Sequence, residues 1–131
     1  MPIVSVVNQK GGSGKTTAAM EMAAGLARGG ARVLVADADP QGTAARWAAS
    51  APESAPFPAP VLGVAASGEQ VHRELRKVIG DYDWLVVDTP PSLEAVTTRS
   101  ALLVSDLALV PVEPSPANVW ATTAARELVR Q

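Results

Sequence analysis

Ile3-Val4-Ser5-Val6-Val7-Asn8-Gln9-Lys10-Gly11-Gly12-Ser13-Gly14-Lys15-Thr16-Thr17 runs from an apolar segment, through a glycine-rich turn, into an Ala- and Met-rich stretch. Strand, glycine loop and helix in that order form the context in which a phosphate-binding loop works. Gly11, Gly12 and Gly14, with Ser13 between them, let backbone N–H groups turn inward around an anion. The start of the following helix adds unpaired donors and the positive end of a dipole. Lys15 is placed to reach the β- and γ-phosphates of a nucleotide, and the Thr16 hydroxyl to hold Mg²⁺, with Thr17 beside it. A flexible turn would need only a lone Gly-Gly pair, not Gly-x-Gly-Lys-Thr-Thr after a β-branched run. The loop departs from the general pattern in two ways. Gln9 stands where a glycine is usual, five residues before Gly14, and a second lysine, Lys10, lies inside the loop.

Outward from this loop, strand and helix signals alternate. Residues Ile3–Val7 read as a buried strand. Lys15–Arg28 reads as a helix with Met20, Ala23, Ala24 and Ala27 at helical spacing, stopped by Gly29-Gly30. Arg32–Ala36 reads as a strand, Thr43–Ala49 as a short helix, and Val61–Ala65 as a short strand. Pro52, Pro56, Pro58 and Pro60 keep the intervening stretch out of any helix. Ser67 or Gly68 is expected to cap a helix over Glu69–Ile79, with Gly80 as its stop. Trp84–Val87 reads as a strand, Leu93–Val104 as a helix, Leu107–Val112 as a strand and Ala117–Arg130 as a last helix. Strands apolar on both faces, separated by helices, predict an α/β fold: a mostly parallel sheet with helices on both faces, in one domain over residues 1–131.

In such a sheet, ligands sit at the carboxyl ends of the strands. Asn8, the pair Asp37 and Asp39, and Asp88 each follow a strand and are expected on one rim. Asp88 at the tip of Trp84–Val87 suits Mg²⁺ through a water. Asp37 and Asp39 share a side if the chain stays extended. Asp39 is assigned to orienting the attacking water and Asp37 to the metal's outer shell. Phosphoryl transfer depends on positioning and charge stabilisation, so Lys15 and Mg²⁺ each supply positive charge. Lys10, followed by Gly11 and Gly12, is suited to reach a partner's nucleotide in trans.

Composition sets limits. With 131 residues, 47% of them hydrophobic and 18% charged, the chain should fold around one core and not remain disordered. A net charge of −2 gives no whole-chain attraction to nucleic acid, so DNA contact would need a local basic patch. The absence of Cys excludes a disulfide framework and an iron–sulfur cluster ligated by this chain, and the single His excludes a histidine metal cluster. No secretory leader pattern and no apolar run of membrane-spanning length is present, so a cytoplasmic domain without a membrane role is expected.

Three stretches together, Asn8 to Thr17, Val33-Leu34-Val35-Ala36-Asp37-Ala38-Asp39-Pro40-Gln41-Gly42, and Trp84-Leu85-Val86-Val87-Asp88-Thr89-Pro90-Pro91, resemble the ParA/MinD family of deviant Walker-A P-loop ATPases. Gln9 and Asp-Pro-Gln-Gly resemble the ParA branch. Ser105-Asp106 followed by Pro111-Val112-Glu113-Pro114-Ser115-Pro116 is similar to the small plasmid-partition ParA proteins, the ParF-like group. The resemblance runs through essentially the whole chain. It implies an ATPase that hydrolyses ATP slowly to ADP and phosphate with Mg²⁺ and forms an ATP-sandwich homodimer in which Lys10 contacts the other subunit's ATP. It further implies stimulation by a ParB-type activator protein and non-specific DNA binding, with nucleoid association. Lys10, Lys15, Thr16, Thr17, Asp39 and Asp88 carry over by motif. Pro90-Pro91 falls in a region that senses the γ-phosphate in the family. Members of the family continue past the equivalent of Gln131, so their C-terminal elements are expected to be missing from these residues.

The rival to a plasmid- or chromosome-partition ATPase is a nucleotide-binding regulatory or positioning module with little turnover and no DNA role. An amide ligase or synthetase of the same superfamily would need a substrate pocket that the sequence does not reveal. Arg73, Arg76 and Lys77, and likewise Arg126 and Arg130, read as solvated helix faces. His72 is expected at the surface, and Trp47, Trp84 and Trp120 are expected to be packing residues.

Overall fold

The computed structural model describes residues 2–7, 14–92 and 95–111. The expected helix Ala117–Arg130, with Trp120, lies outside the described residues, as do the loop residues Asn8 to Ser13. Among the described residues five strands form one all-parallel sheet: β1 (Ile3–Val6), β2 (Val33–Asp37), β3 (Val61–Gly63), β4 (Trp84–Asp88) and β5 (Leu107–Leu109), in the order β3-β2-β4-β1-β5. Four α-helices connect them: α1 (Lys15–Arg28), α2 (Thr43–Ala49), α3 (Val71–Val78) and α4 (Val96–Val104).

The central strands are apolar but for Ser5 and the terminal Asp37 and Asp88, because both faces are covered. Ile3, Leu34, Ala36, Leu85 and Val87 point to one side, where they pack with Val71 and Leu75 of α3 and Ala101 of α4. Val6, Val33, Val35 and Val86 point to the other, against Ala19, Met20 and Ala23 of α1 and Ala44 of α2. The period-two alternation along each strand thus feeds two cores and gives three layers. Among the described residues β3 and β5 lie at the ends of the sheet order, and they are the least buried strands.

The bounds expected for α1 and α2 match the structure, and α1 ends as its glycines predict. Gly30 takes a φ of +100°, and the Ala31 N–H returns to the Leu26 carbonyl, a glycine-terminated helix end. Four expectations are corrected. The helix over 69–79 is α-helical only from Val71 to Val78, because Gly68 adopts a φ of +52° and leaves 65–70 as 3₁₀ turns. Neither Ser67 nor Gly68 caps it; Gln70 is the N-cap and makes no side-chain bond there. Gly80 lies inside a further 3₁₀ turn, Ile79–Asp81, and is not the stop. The helix expected from Leu93 begins at Val96, since Ala95 is extended.

Parallel pairing places every strand's carboxyl end on one rim. β4 is central, and its register sets Val6 and Asp37 on either side of Asp88. Thr89 locks this junction from within: its hydroxyl donates to the Val6 carbonyl at 2.7 Å, and both its side chain and its backbone are buried. At the opposite end, Arg32 pairs with Asp83 at the surface, and the Asp83 carboxyl is held below its ordinary value chiefly by the Arg32 backbone N–H, with the guanidinium adding to it.

Candidate nucleotide-phosphate site

α1 opens on Gly14, which has a φ of +84° and supplies no side-chain cap. The first-turn N–H groups of α1 therefore face the rim without a side-chain acceptor from their N-cap, the arrangement that suits an anion. Lys15 and Thr16 follow at once, and β4 delivers Asp88 between them. The Lys15 Nζ donates to Asp88 Oδ1 at 2.8 Å, and the Thr16 hydroxyl donates to Asp88 Oδ2 at 2.8 Å. Both members of the ion pair are buried, Lys15 at 7% exposure and Asp88 at 0%. Thr17 is exposed one position further along. Lys10, Gly11, Gly12 and Ser13 lie outside the described residues.

β2 brings the other two carboxylates. Asp37, the last residue of β2, is 2% exposed; its Oδ1 accepts the Asp39 N–H and its Oδ2 accepts the Ala45 N–H, each at 3.1 Å. Burial pushes the Asp37 carboxyl above its ordinary value. The N–H groups of Ala45 and Asp39 pull it back, and the nearby charges of Asp88 and Asp39 push it up again. Asp39, also buried, accepts the Gln41 N–H on Oδ1 at 3.0 Å, and its other oxygen has no partner among the described residues. β2 ends at Asp37, and the two carboxylates take different surroundings: Asp37 accepts the Asp39 and Ala45 N–H groups, Asp39 the Gln41 N–H.

Three buried carboxylates and one buried ammonium leave a surplus of negative charge on the rim among the described residues. Such a surplus is costly unless a cation joins it. No cluster of three or more His, Cys, Asp or Glu side chains among those residues can hold a metal alone. The donor set fits Mg²⁺, which binds through one or two protein oxygens, phosphate and water and does not require a protein cage. Thr16 and Asp88 are the side chains that would hold it, and Lys15 with the α1 start would face the phosphates.

The sequence does not single out Thr89, although a threonine between a strand-end aspartate and Pro90-Pro91 is the signal that marks it. His72 is half-buried, and its Nδ1 lies 2.8 Å from the Ser100 hydroxyl, across the α3–α4 contact. Arg73, Arg76 and Lys77 are exposed as expected, with Lys77 paired to Glu74. Trp84 packs into the α1-side core. Trp47 is partly exposed and lines a groove of about 500 Å³ between α1, α2 and Phe57, away from the rim. Among the described residues no helix is long and apolar enough to cross a membrane.

A family model described as an AAA domain matches residues 1–55 and 50–130. Maintenance of carboxysome distribution protein A from Halothiobacillus neapolitanus is 37% identical over 126 residues, which is 96% of this chain and 57% of that protein. The chromosome-partitioning ATPase Soj of Thermus thermophilus is 33% identical over 135 residues, covering 84% of this chain and 54% of that protein. The chain spans about half the length of the curated relatives it matches. Among solved structures, apo McdA from Cyanothece superposes with a TM-score of 0.83 at 21% identity, over 99% of this chain and 65% of that one. A plasmid partition protein from Borrelia burgdorferi bound to AMPPNP gives 0.76 at 22% identity, over 98% of this chain and 70% of that one. At these identities the two structures establish the shared fold.

Proposed function

Given that the chain belongs to the ParA/MinD family of P-loop ATPases, we propose that it is the nucleotide-binding core of an ATPase that positions a cargo inside the cell. The observation that carries this reading is the Lys15–Asp88–Thr16 triangle at the uncapped start of α1. It combines a cation for phosphate, a hydroxyl and a carboxylate for Mg²⁺, and free helical N–H donors. A magnesium ion bound with ATP neutralises charge on the phosphoryl oxygens and polarises them.

The chain's own residues then have distinct tasks. Lys15 leaves Asp88 and turns to the phosphates, which releases Asp88 and Thr16 to face the ion and its water. Asp39 keeps one oxygen free and accepts from the attacking water, orienting it. Gly11, Gly12, Ser13, Gly14, Lys15, Thr16 and Thr17 line the phosphates with N–H groups and side chains. Lys10 crosses to the nucleotide of a second copy, so that dimerisation and turnover depend on ATP. A partner protein accelerates a slow basal hydrolysis. The names of the relatives support positioning of a cargo in general: carboxysomes for one group, chromosomes or plasmids for others. Plasmid or chromosome partition is the first cargo to test; a positioning module without a DNA role is the second, and the net charge of −2 supports that second reading.

Calorimetry with ATP, with and without magnesium, tests the reading. Uptake that is magnesium-dependent in the parent chain, weakened tenfold or more in Thr16→Ala and lost in Lys15→Gln, is the expected result. No adenine-nucleotide uptake by the parent chain refutes it. ATP-dependent DNA retention that falls steeply with salt would establish the DNA role, and no retention at low salt would remove it.

A further inference from the structure

We propose that Asp37 is the positioning residue for Asp39: it sets the turn that aims the Asp39 carboxylate and is not spent on the metal's outer shell. The inference rests on the role given to Asp39 above, but its geometry stands on its own. Asp37 gives one oxygen to each end of a short arc. Oδ1 takes the Asp39 N–H and Oδ2 takes the Ala45 N–H, which is the third residue of α2. That N–H has no acceptor within its own helix, and the N-cap, Gly42, has no side chain to offer one. Asp37 is thus a cap reached from a neighbouring strand. The arc between its two anchors is closed further by the Gly42 N–H on the Asp39 carbonyl at 3.0 Å, the Gln41 N–H on Asp39 Oδ1, and the Arg46 guanidinium on the Gln41 carbonyl.

The two aspartates are therefore not equivalent. Asp37 is 2% exposed and has both oxygens engaged by backbone N–H groups. Asp39 has one oxygen tied down and the other without a partner among the described residues. A carboxylate that accepts two N–H bonds at fixed backbone positions holds those positions. A carboxylate with an open oxygen can act on something else. The turn is anchored to the magnesium side of the rim as well, because the Ala38 N–H donates to the Asp88 carbonyl at 2.9 Å.

Asp37→Asn separates the readings. The amide keeps one acceptor oxygen and faces the second backbone N–H with a donor, so one of the two anchors is lost. The expected result is a tenfold or larger fall in kcat, with KM for ATP and the magnesium midpoint both within twofold of the parent. In the nucleotide-free chain, the backbone amides of Asp39 and Ala45 should shift and lose exchange protection, while those of Lys15 and Thr16 should not. A tenfold rise in the magnesium midpoint with kcat restored at saturating magnesium would return Asp37 to the metal shell and overturn the proposal. An unchanged kcat per folded molecule, accompanied only by lower stability, would reduce it to a helix cap and overturn it too. Should the variant not fold, scalar couplings across the hydrogen bonds from the Asp37 carboxylate carbon to the Asp39 and Ala45 nitrogens in the parent chain decide the geometry, and their absence refutes it. Loss of nucleotide binding in the parent would sink the proposed function but leave this amide readout intact.

Discussion

Replacing Lys15 by Met should destabilise the folded chain far more than replacing Asp88 by Asn, and combining the two should restore much of the loss. Lys15→Met leaves the Asp88 carboxylate fully buried with the Thr16 hydroxyl as its remaining side-chain partner among the described residues, near the charge of Asp37. Stranding one member of a buried pair costs about 3–5 kcal/mol. Asp88→Asn is milder. The amide oxygen can still accept from Thr16 or Lys15, and the ammonium sits on a flexible stem that can carry it toward water, so about 1–2 kcal/mol is expected. In Lys15→Met/Asp88→Asn no charge is stranded, and the double-mutant cycle should show a coupling of about 2–3 kcal/mol. For a chain of this size about 3–5 °C of Tm accompanies each kcal/mol, so the single variants should separate by about 10 °C in thermal scans. Urea titrations of all four proteins supply the free energies. Additive losses, with the double variant as unstable as the sum of the singles, would refute the claim that the pair is a coupled buried unit.

Three other outcomes follow from the same geometry. Thr89→Val removes the hydroxyl that ties β4 to the end of β1 and leaves the Val6 carbonyl with a poorer donor, so stability should fall by about 1 kcal/mol in urea titration. Lys10→Ala should still take up ATP in calorimetry but lose ATP-driven dimerisation and hydrolysis; a parental hydrolysis rate would remove the trans-lysine reading. Asp83, whose carboxyl is held below its ordinary 3.8 by Arg32, contributes stability that is present above that value and lost as pH falls through its lower folded value. Asp83→Asn should therefore flatten the acid end of the stability profile below about pH 4 and leave the neutral region's slope unchanged.

Much of the fold is legible in the chain because its strands are buried on both faces. Val33-Leu34-Val35-Ala36 and Leu85-Val86-Val87 have no polar face to disguise them, and Gly29-Gly30 punctuates α1 where a left-handed residue is needed. The lower edge of α3 is not legible, since Gly68 serves equally well as a cap or a break, and only the backbone shows the break. The Lys15 and Thr16 contacts with Asp88 follow the motif. The division of labour between Asp37 and Asp39 does not, because it depends on where α2 starts in space and on which N–H groups there lack acceptors. The His72 contact is hidden for a similar reason. A polar residue on a short amphipathic helix reads as solvent-facing, yet Ser100, 28 positions away, draws it into a contact between helices.

The register of β4 has a kinetic consequence. The pocket floor joins residues 73 positions apart, and β4 must slot between two strands that are made before it. No local fragment of the polypeptide, the glycine turn with its helix included, can assemble the cation, hydroxyl and carboxylate together. Acquisition of ligand affinity during refolding should thus lag behind helix formation and coincide with completion of long-range strand pairing, the slowest class of contact to close.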